Sequence, residues 1–203
     1  MFVKICGITR EGDARAAVEC GASAVGFIFW RKSPRWVDPD VARQIVRTLP
    51  PFVTPVGVFV NETPAEVNAV AEHVGLGAVQ LHGDEDAAAA AALVRPVVKA
   101  LGGAAVERAA DWPVNVLLLV DADDPARRGG TGERADWDAA ARLAATRRIL
   151  LAGGISAENV ADAVRAVRPF GIDVSSGVER APGIKDAGRL QELFEALRAV
   201  TRS

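Results

Sequence analysis

Residues 148–179 read RILLAGGISAENVADAVRAVRPFGIDVSSGVE. The segment divides itself. Arg148–Leu151 is a short apolar run, and Gly153-Gly154 follows it. Ala157–Val167 carries helically spaced apolar residues, with Ser156 before it as the expected cap and Glu158 in its first turn. Gly171–Val174 is a second apolar run, and it ends at Ser175-Ser176-Gly177. Two short strands joined through a helix of this length read as parallel neighbours, since antiparallel strands need only a tight turn between them. Both runs are almost continuously apolar, the pattern of strands covered on both faces.

The same unit recurs along the chain. Val3–Cys6, Ala24–Phe29, Pro55–Val60, Ala78–Leu81, Val97–Ala100 and Val116–Val120 read as further strands. Helical patterns follow at Glu11–Cys20, Asp38–Thr48, Pro64–Val74, Glu85–Val94, Trp137–Thr146 and Ala187–Val200; only Gly102–Trp112, opened by two glycines, is weak as a helix. Asp38-Pro39 and Thr63-Pro64 each set a capping side chain before a proline at the first helical position. Glu66 completes a capping box with Thr63. Eight strands in 203 residues give a repeat of about 25 residues, which suits βα units with short loops. No linker or charge block divides the chain, and the alanines Ala87–Ala92 read as helix former. Strict alternation allows an open doubly wound sheet or a closed barrel, and eight units favour closure. The expected fold is therefore α/β, a single (β/α)8 TIM barrel over residues 1–203 with a degenerate helix between strands five and six.

Composition narrows the function. A formal net charge of -2 supports neither nucleic-acid binding nor an anionic membrane partner, so an anionic ligand would need local features to hold it. Two cysteines, Cys6 and Cys20, without CxxC spacing give neither a disulfide framework nor a structural zinc site. A reduced, cytoplasmic protein is expected, with no bound metal. No basic segment followed by an apolar run opens the chain, so no signal peptide is expected. The longest apolar stretch, Val116–Val120, is too short to span a bilayer.

In a parallel barrel the functional groups gather where strands exit at their C-terminal ends. Strand one exits at Cys6-Gly7. Strand two exits through a basic, aromatic loop, Trp30 to Trp36, which holds Arg35. Strand four exits through Gln80-Leu81-His82-Gly83, and strand six at Asp121, before a loop containing Arg127-Arg128-Gly129-Gly130-Thr131-Gly132. Strands seven and eight exit through Gly153-Gly154 and Ser176-Gly177. Glycines admit close approach to a backbone, helix starts favour anions, and the last two barrel loops commonly bind phosphate; the same glycines also suit plain tight turns. A thiolate at Cys6 can accept a proton and a carboxylic acid at Asp121 can deliver one. Cys6 also suits a small buried hydrophobe, as does Cys20 on its helix face, and Asp121 suits a loop cap. His82 can serve as acid or base. Arg35 reads either as one of a solvated charge cluster or as a fork for a carboxylate. Lys4 is read as turned away from Cys6, and so as no activator of it.

In order along nearly the whole chain, VKICGIT (3–9), GFIF (26–29) with Ser33-Pro34-Arg35, GVFV (57–60), VQLHG (79–83), LLVD (118–121), GGTG (129–132) with Asp136-Trp137, LAGGI (151–155) and DVSSGVE (173–179) with PGIKD (182–186) resemble the phosphoribosylanthranilate isomerase family. The resemblance implies a cofactor-free Amadori rearrangement of N-(5-phosphoribosyl)anthranilate. It implies Cys6 as general base and Asp121 as general acid. It implies Arg35 against the anthranilate carboxylate, and the phosphate on backbone N–H groups of Gly154, Ser176 and Gly177, with Gly153 in the same cradle. Gln80 and His82 are assigned to substrate binding. The loop after strand six is expected to fold over the substrate. A phosphorylated small molecule is the expected partner, and a monomer or homodimer the expected assembly. The rival readings are another small phosphate-binding barrel enzyme, indoleglycerol-phosphate synthase-like or sugar-phosphate isomerising, and a non-catalytic phosphate-ligand sensor. The synthase-like reading would call for a catalytic strand lysine, for which Lys99 is the candidate.

Overall fold

Each apolar run pairs in parallel with the next, and the last returns to the first. In the computed structural model, which describes residues 1–121 and 136–201, the strands are β1 (Phe2–Ile5), β2 (Ala24–Ile28), β3 (Thr54–Phe59), β4 (Ala78–Leu81), β5 (Val97–Gly102), β6 (Leu117–Asp121), β7 (Ile149–Leu151) and β8 (Gly171–Val174). Pairing of β1 with β8 closes them into a barrel. Helices α1 (Glu11–Cys20), α2 (Pro39–Val46), α3 (Pro64–Val74), α4 (Ala87–Ala91), α5 (Trp137–Ala144), α6 (Val160–Val167) and α7 (Ala187–Thr201) complete the βα alternation. Between β5 and β6 the expected weak helix is a run of 3₁₀ turns, Gly103–Asp111.

Strand parity sorts the apolar side chains into two layers. Val3, Ile5, Val25, Phe27, Leu118 and Val120 join the main core with the helices. Val98, Ala100, Leu119, Leu150 and Ala152 pack together as a second, smaller cluster. Each large apolar side chain buried in this way contributes about 1.5–3 kcal/mol.

The caps at Asp38 and Thr63 fall where the sequence places them. Asp38 accepts from the Asp40 N–H at 2.9 Å. The Thr63 N–H donates to Glu66 Oε2 at 2.9 Å, and the Glu66 N–H donates to Thr63 Oγ1 at 3.3 Å. Two helices start two or three residues later than expected. α4 starts at Ala87 because Asp86 caps it, accepting from the Ala89 N–H at 2.8 Å. Glu85 is occupied elsewhere: it accepts from the Asn61 N–H at 2.7 Å and from Lys99 Nζ at 2.8 Å. α6 starts at Val160 rather than Ala157 because Asn159 ties the preceding turn together. Its Oδ1 accepts from the Ser156 N–H at 3.0 Å, and its Nδ2 donates to the Gly154 carbonyl at 2.7 Å. Ser156 is therefore not the cap; its hydroxyl bonds to Glu158 instead.

After β8, a hairpin of β9 (Glu179–Ala181) and β10 (Ile184–Lys185) turns at Pro182-Gly183, where Gly183 adopts φ +76°. No helix among the described residues is long and apolar enough to cross a membrane. The loop expected to close over the substrate, with Arg127-Arg128 and GGTG, lies outside the described residues.

Candidate active site

A cavity of about 620 Å³ opens among the strand exits. Parity explains its polar lining. Cys6 continues the inward row of β1, Gln80 and His82 that of β4, Asp121 that of β6, and Asp173 and Ser175 that of β8. The cavity brings together Cys6, Arg35, Gln80, His82, Asp121, Gly153, Gly154 and Ser176. Gly177 does not line it. Cys6 and Asp121 stand on β1 and β6, and β7 and β8, with their glycine loops, fill the shorter arc of the barrel between them.

Lys4 corrects the sequence reading. Residues two apart on a strand share a face, so Lys4 points inward with Cys6. Lys4 Nζ donates to Asp173 Oδ1 at 2.9 Å, and the two residues are paired in register between β1 and β8. Burial works against the Lys4 ammonium, but the Asp173 carboxylate and the Cys6 sulfur outweigh it and hold the amine above its ordinary value. Gly26 on β2 makes room for this pair: a Cβ there would lie 2.8 Å from Cys6 Sγ and 3.1 Å from Lys4 Cε. Burial pushes the Cys6 thiol up, and Asp173 adds to that. The charges of Lys4 and Lys185 pull it back down, and the balance stays above the ordinary value.

Arg35 is buried rather than solvated. Its Nη2 donates to Glu179 Oε2 at 2.8 Å and its Nε to Glu179 Oε1 at 3.0 Å. Lys185 Nζ reaches the same carboxylate at 2.8 Å, and also donates to the Cys6 carbonyl at 2.5 Å and the Ser175 carbonyl at 3.1 Å. Burial raises the Glu179 carboxyl, yet its two cationic partners hold it below the usual range. Burial depresses Lys185, which Glu179 only partly restores. This ionic knot fixes the loop after β2 to the hairpin after β8 and presents Arg35 to the cavity.

Across the cavity Gln80 Nε2 donates to His82 Nδ1 at 2.8 Å. That leaves His82 Nε2 to face Asp121 Oδ2 at 3.5 Å. Gln80 Oε1 and Ser175 Oγ are buried without a hydrogen-bond partner. Both residues line the cavity. Buried polar atoms of this kind are costly unless something pairs with them, which suits a ligand site.

The two glycine loops differ in what their glycines do. Gly153 and Gly154 adopt φ +80° and +62°, a region that glycine enters without strain. Gly177 is demanded by packing: a Cβ there would lie 2.0 Å from the Ile155 carbonyl oxygen. Its bareness seats the β8 loop directly on the β7 loop.

Lys99 faces the helix layer, not the cavity. Its Nζ donates to Glu85 Oε2 at 2.8 Å and to the Gly83 carbonyl at 2.7 Å. It also lies 5.5 Å from the centroid of a Trp112 ring. Among the described residues no group of three or more His, Cys, Asp or Glu side chains could hold a metal ion. Sequence reasoning missed Lys4, Asp173, Ser175, Glu179 and Lys185. Period-two counting finds the first three; the last two lie in the quoted DVSSGVE and PGIKD motifs, but their roles come from contacts with Arg35 and Cys6, distant in sequence.

A closed parallel barrel with a titratable cluster and glycine loops at its strand exits is the framework of a (β/α)8-barrel enzyme. A family model described as N-(5'-phosphoribosyl)anthranilate (PRA) isomerase matches residues 3–196. The chain belongs to that family. A curated relative from Pelobacter propionicus, N-(5'-phosphoribosyl)anthranilate isomerase, is 49% identical over 204 residues, covering 99% of this chain and 97% of the relative. The crystal structure of phosphoribosyl anthranilate isomerase from Thermus thermophilus superposes with a TM-score of 0.90 at 43% identity, covering 98% of this chain and 100% of that one. A phosphoribosyl anthranilate isomerase crystallised with reduced 1-(o-carboxyphenylamino)-1-deoxyribulose 5-phosphate superposes at 0.88 with 40% identity, covering 98% of this chain and 99% of that one.

Proposed function

We propose that this chain catalyses the isomerisation for which its family is named. N-(5-phosphoribosyl)anthranilate becomes 1-(2-carboxyphenylamino)-1-deoxyribulose 5-phosphate, a step in tryptophan biosynthesis. The observation that carries the reading is one cavity holding Cys6 and Asp121 on either side of two glycine-rich loops. Asp121 gives a proton to the furanose ring oxygen as the anthranilate nitrogen expels it, and a protonated Schiff base forms. Cys6 removes the C2′ proton and leaves a neutral enolamine. C1′ then gains a proton and the 2′-hydroxyl loses one, so the ketone forms with no net oxidation.

The remaining residues bind. Arg35, braced by Glu179, faces the anthranilate carboxylate. Gly153, Gly154 and Ser176 offer backbone N–H groups to the phosphate, while Gly177 holds their two loops together. Gln80 and His82 contact the sugar, and His82 sits beside the acid. The reading takes residues 1–203 as one domain, acting without a cofactor in the cytoplasm as a monomer or homodimer.

The test is fluorimetric. Purified protein is expected to abolish phosphoribosylanthranilate fluorescence, and no change at high enzyme concentration would overturn the activity. Cys6→Ala and Asp121→Asn are expected to lower kcat by about 10²–10⁴-fold while still binding a product analogue. Near-normal turnover in either variant removes that residue's assignment.

A further inference from the structure

Lys4 is a buried charge on the inward row of β1, 1% exposed. The proposed chemistry leaves it without a task. Filling a barrel does not explain it, because a Lys–Asp pair is commonly replaced by packed apolar residues at no loss of stability. Satisfying backbone does not explain it either. Among the described residues, the side-chain hydrogen bonds of Lys4 and Asp173 involve only each other. What Lys4 does have is Cys6, two residues on along the same inward row, with both side chains packed against the bare Cα of Gly26.

We propose that Lys4 is the positioning residue for Cys6: its ammonium, aimed by Asp173, stabilises the Cys6 thiolate and so sets how readily that sulfur accepts a proton. This rests on the reading of Cys6 as the base. The other charges around Cys6 do not replace Lys4. From its own strand only Lys4 contributes a charge, and β2 presents Gly26. β8 presents Asp173, which opposes the thiolate. β10 presents Lys185, whose ammonium is engaged by Glu179 and two carbonyls. Arg35, packed over Gly7, is committed to Glu179. Asp121 and His82 lie on strands across the cavity.

The arrangement makes two predictions of opposite sign. Removing the cation disfavours the thiolate; removing the neighbouring carboxylate favours it. The experiment measures the rate of iodoacetamide alkylation of Cys6 against pH in full-length protein, in a Cys20→Ala background. Lys4→Met is expected to move the midpoint of the alkylation profile up by about 1–3 pH units. The acid limb of kcat/KM is expected to move with it, and Lys4→Arg to restore both. Asp173→Asn is expected to move the midpoint down. A Lys4→Met midpoint equal to that of the parent overturns the proposal. If Lys4→Met does not fold, an unmoved or raised midpoint in Asp173→Asn overturns it. Failure of the base assignment looks different: the alkylation midpoints shift as stated, but Cys6→Ala still turns over.

Discussion

Two of the buried lysine–carboxylate pairs among the described residues have opposite uses. Lys4–Asp173 and Lys99–Glu85 are alike in chemistry, at 2.9 and 2.8 Å, and every partner is less than a tenth exposed. The first points into the barrel, makes no side-chain bond to backbone among the described residues, and has a thiol as its neighbour. The second points out of the barrel, and its three polar side-chain atoms also bond to loop backbone. Glu85 accepts from the Asn61 and Gly83 N–H groups while Lys99 donates to the Gly83 carbonyl, which ties the exits of β3 and β4 to β5. An ion pair inside a protein therefore has no intrinsic role; the groups around it decide whether it tunes chemistry or holds chain.

The comparison predicts a crossover between two double variants. Lys4→Met/Asp173→Leu is expected to unfold in urea at or above the parental midpoint, because a whole buried pair is exchanged for packed apolar groups, yet to lose about 10²-fold in kcat/KM. Lys99→Met/Glu85→Leu is expected to lose about 1–3 kcal/mol, since the part-buried Gly83 N–H is left unpaired. Equal losses of stability in both would erase the distinction.

A third cluster sharpens it through pH. The Glu179 carboxyl is held below its ordinary value by Arg35 and Lys185 against the effect of burial. Its folded pKa is thus lower than its unfolded one. Its contribution is complete above the ordinary carboxylate range and is lost as pH falls through the folded value. Glu179→Gln is expected to flatten the fall of the urea midpoint on acidification and to raise KM through a less constrained Arg35. Cys6 carries the opposite sign. Its raised thiol stabilises the fold below the unfolded value near 9.0, and that stabilisation is lost as pH rises further. The smallest effect belongs outside the three clusters: Thr63→Ala removes the α3 cap and is expected to cost about 1 kcal/mol with kcat unchanged.

The barrel was legible because its signals are local. Alternating apolar runs, Asp38-Pro39 and Thr63-Pro64 with Glu66 depend on residues a few positions apart, and the caps form as read. The strand-exit rule likewise gathers Cys6, His82 and Asp121 into one cavity. The losses come where a side chain answers to something distant. Glu85 leaves its helix for Lys99 and two loop amides, and Asn159 displaces Ser156 by reaching back to Gly154. Arg35 finds Glu179 at a separation of 144 residues, which no spacing pattern reports. Lys4 is different: period two already places it beside Cys6, so that miss belongs to counting and not to tertiary structure.

Gly177 has a consequence beyond its turn. With the Ile155 carbonyl in the space of a side chain, the β7 and β8 exits are pressed into a single piece before any ligand arrives. An anion docking there would meet a shaped surface, with little ordering entropy lost on binding. The same seat limits drift: neither loop can widen without the other, so the distance from the anchor to the groups on β1 and β6 is a property of the scaffold. Affinity and alignment are in this way coupled through one missing methyl group.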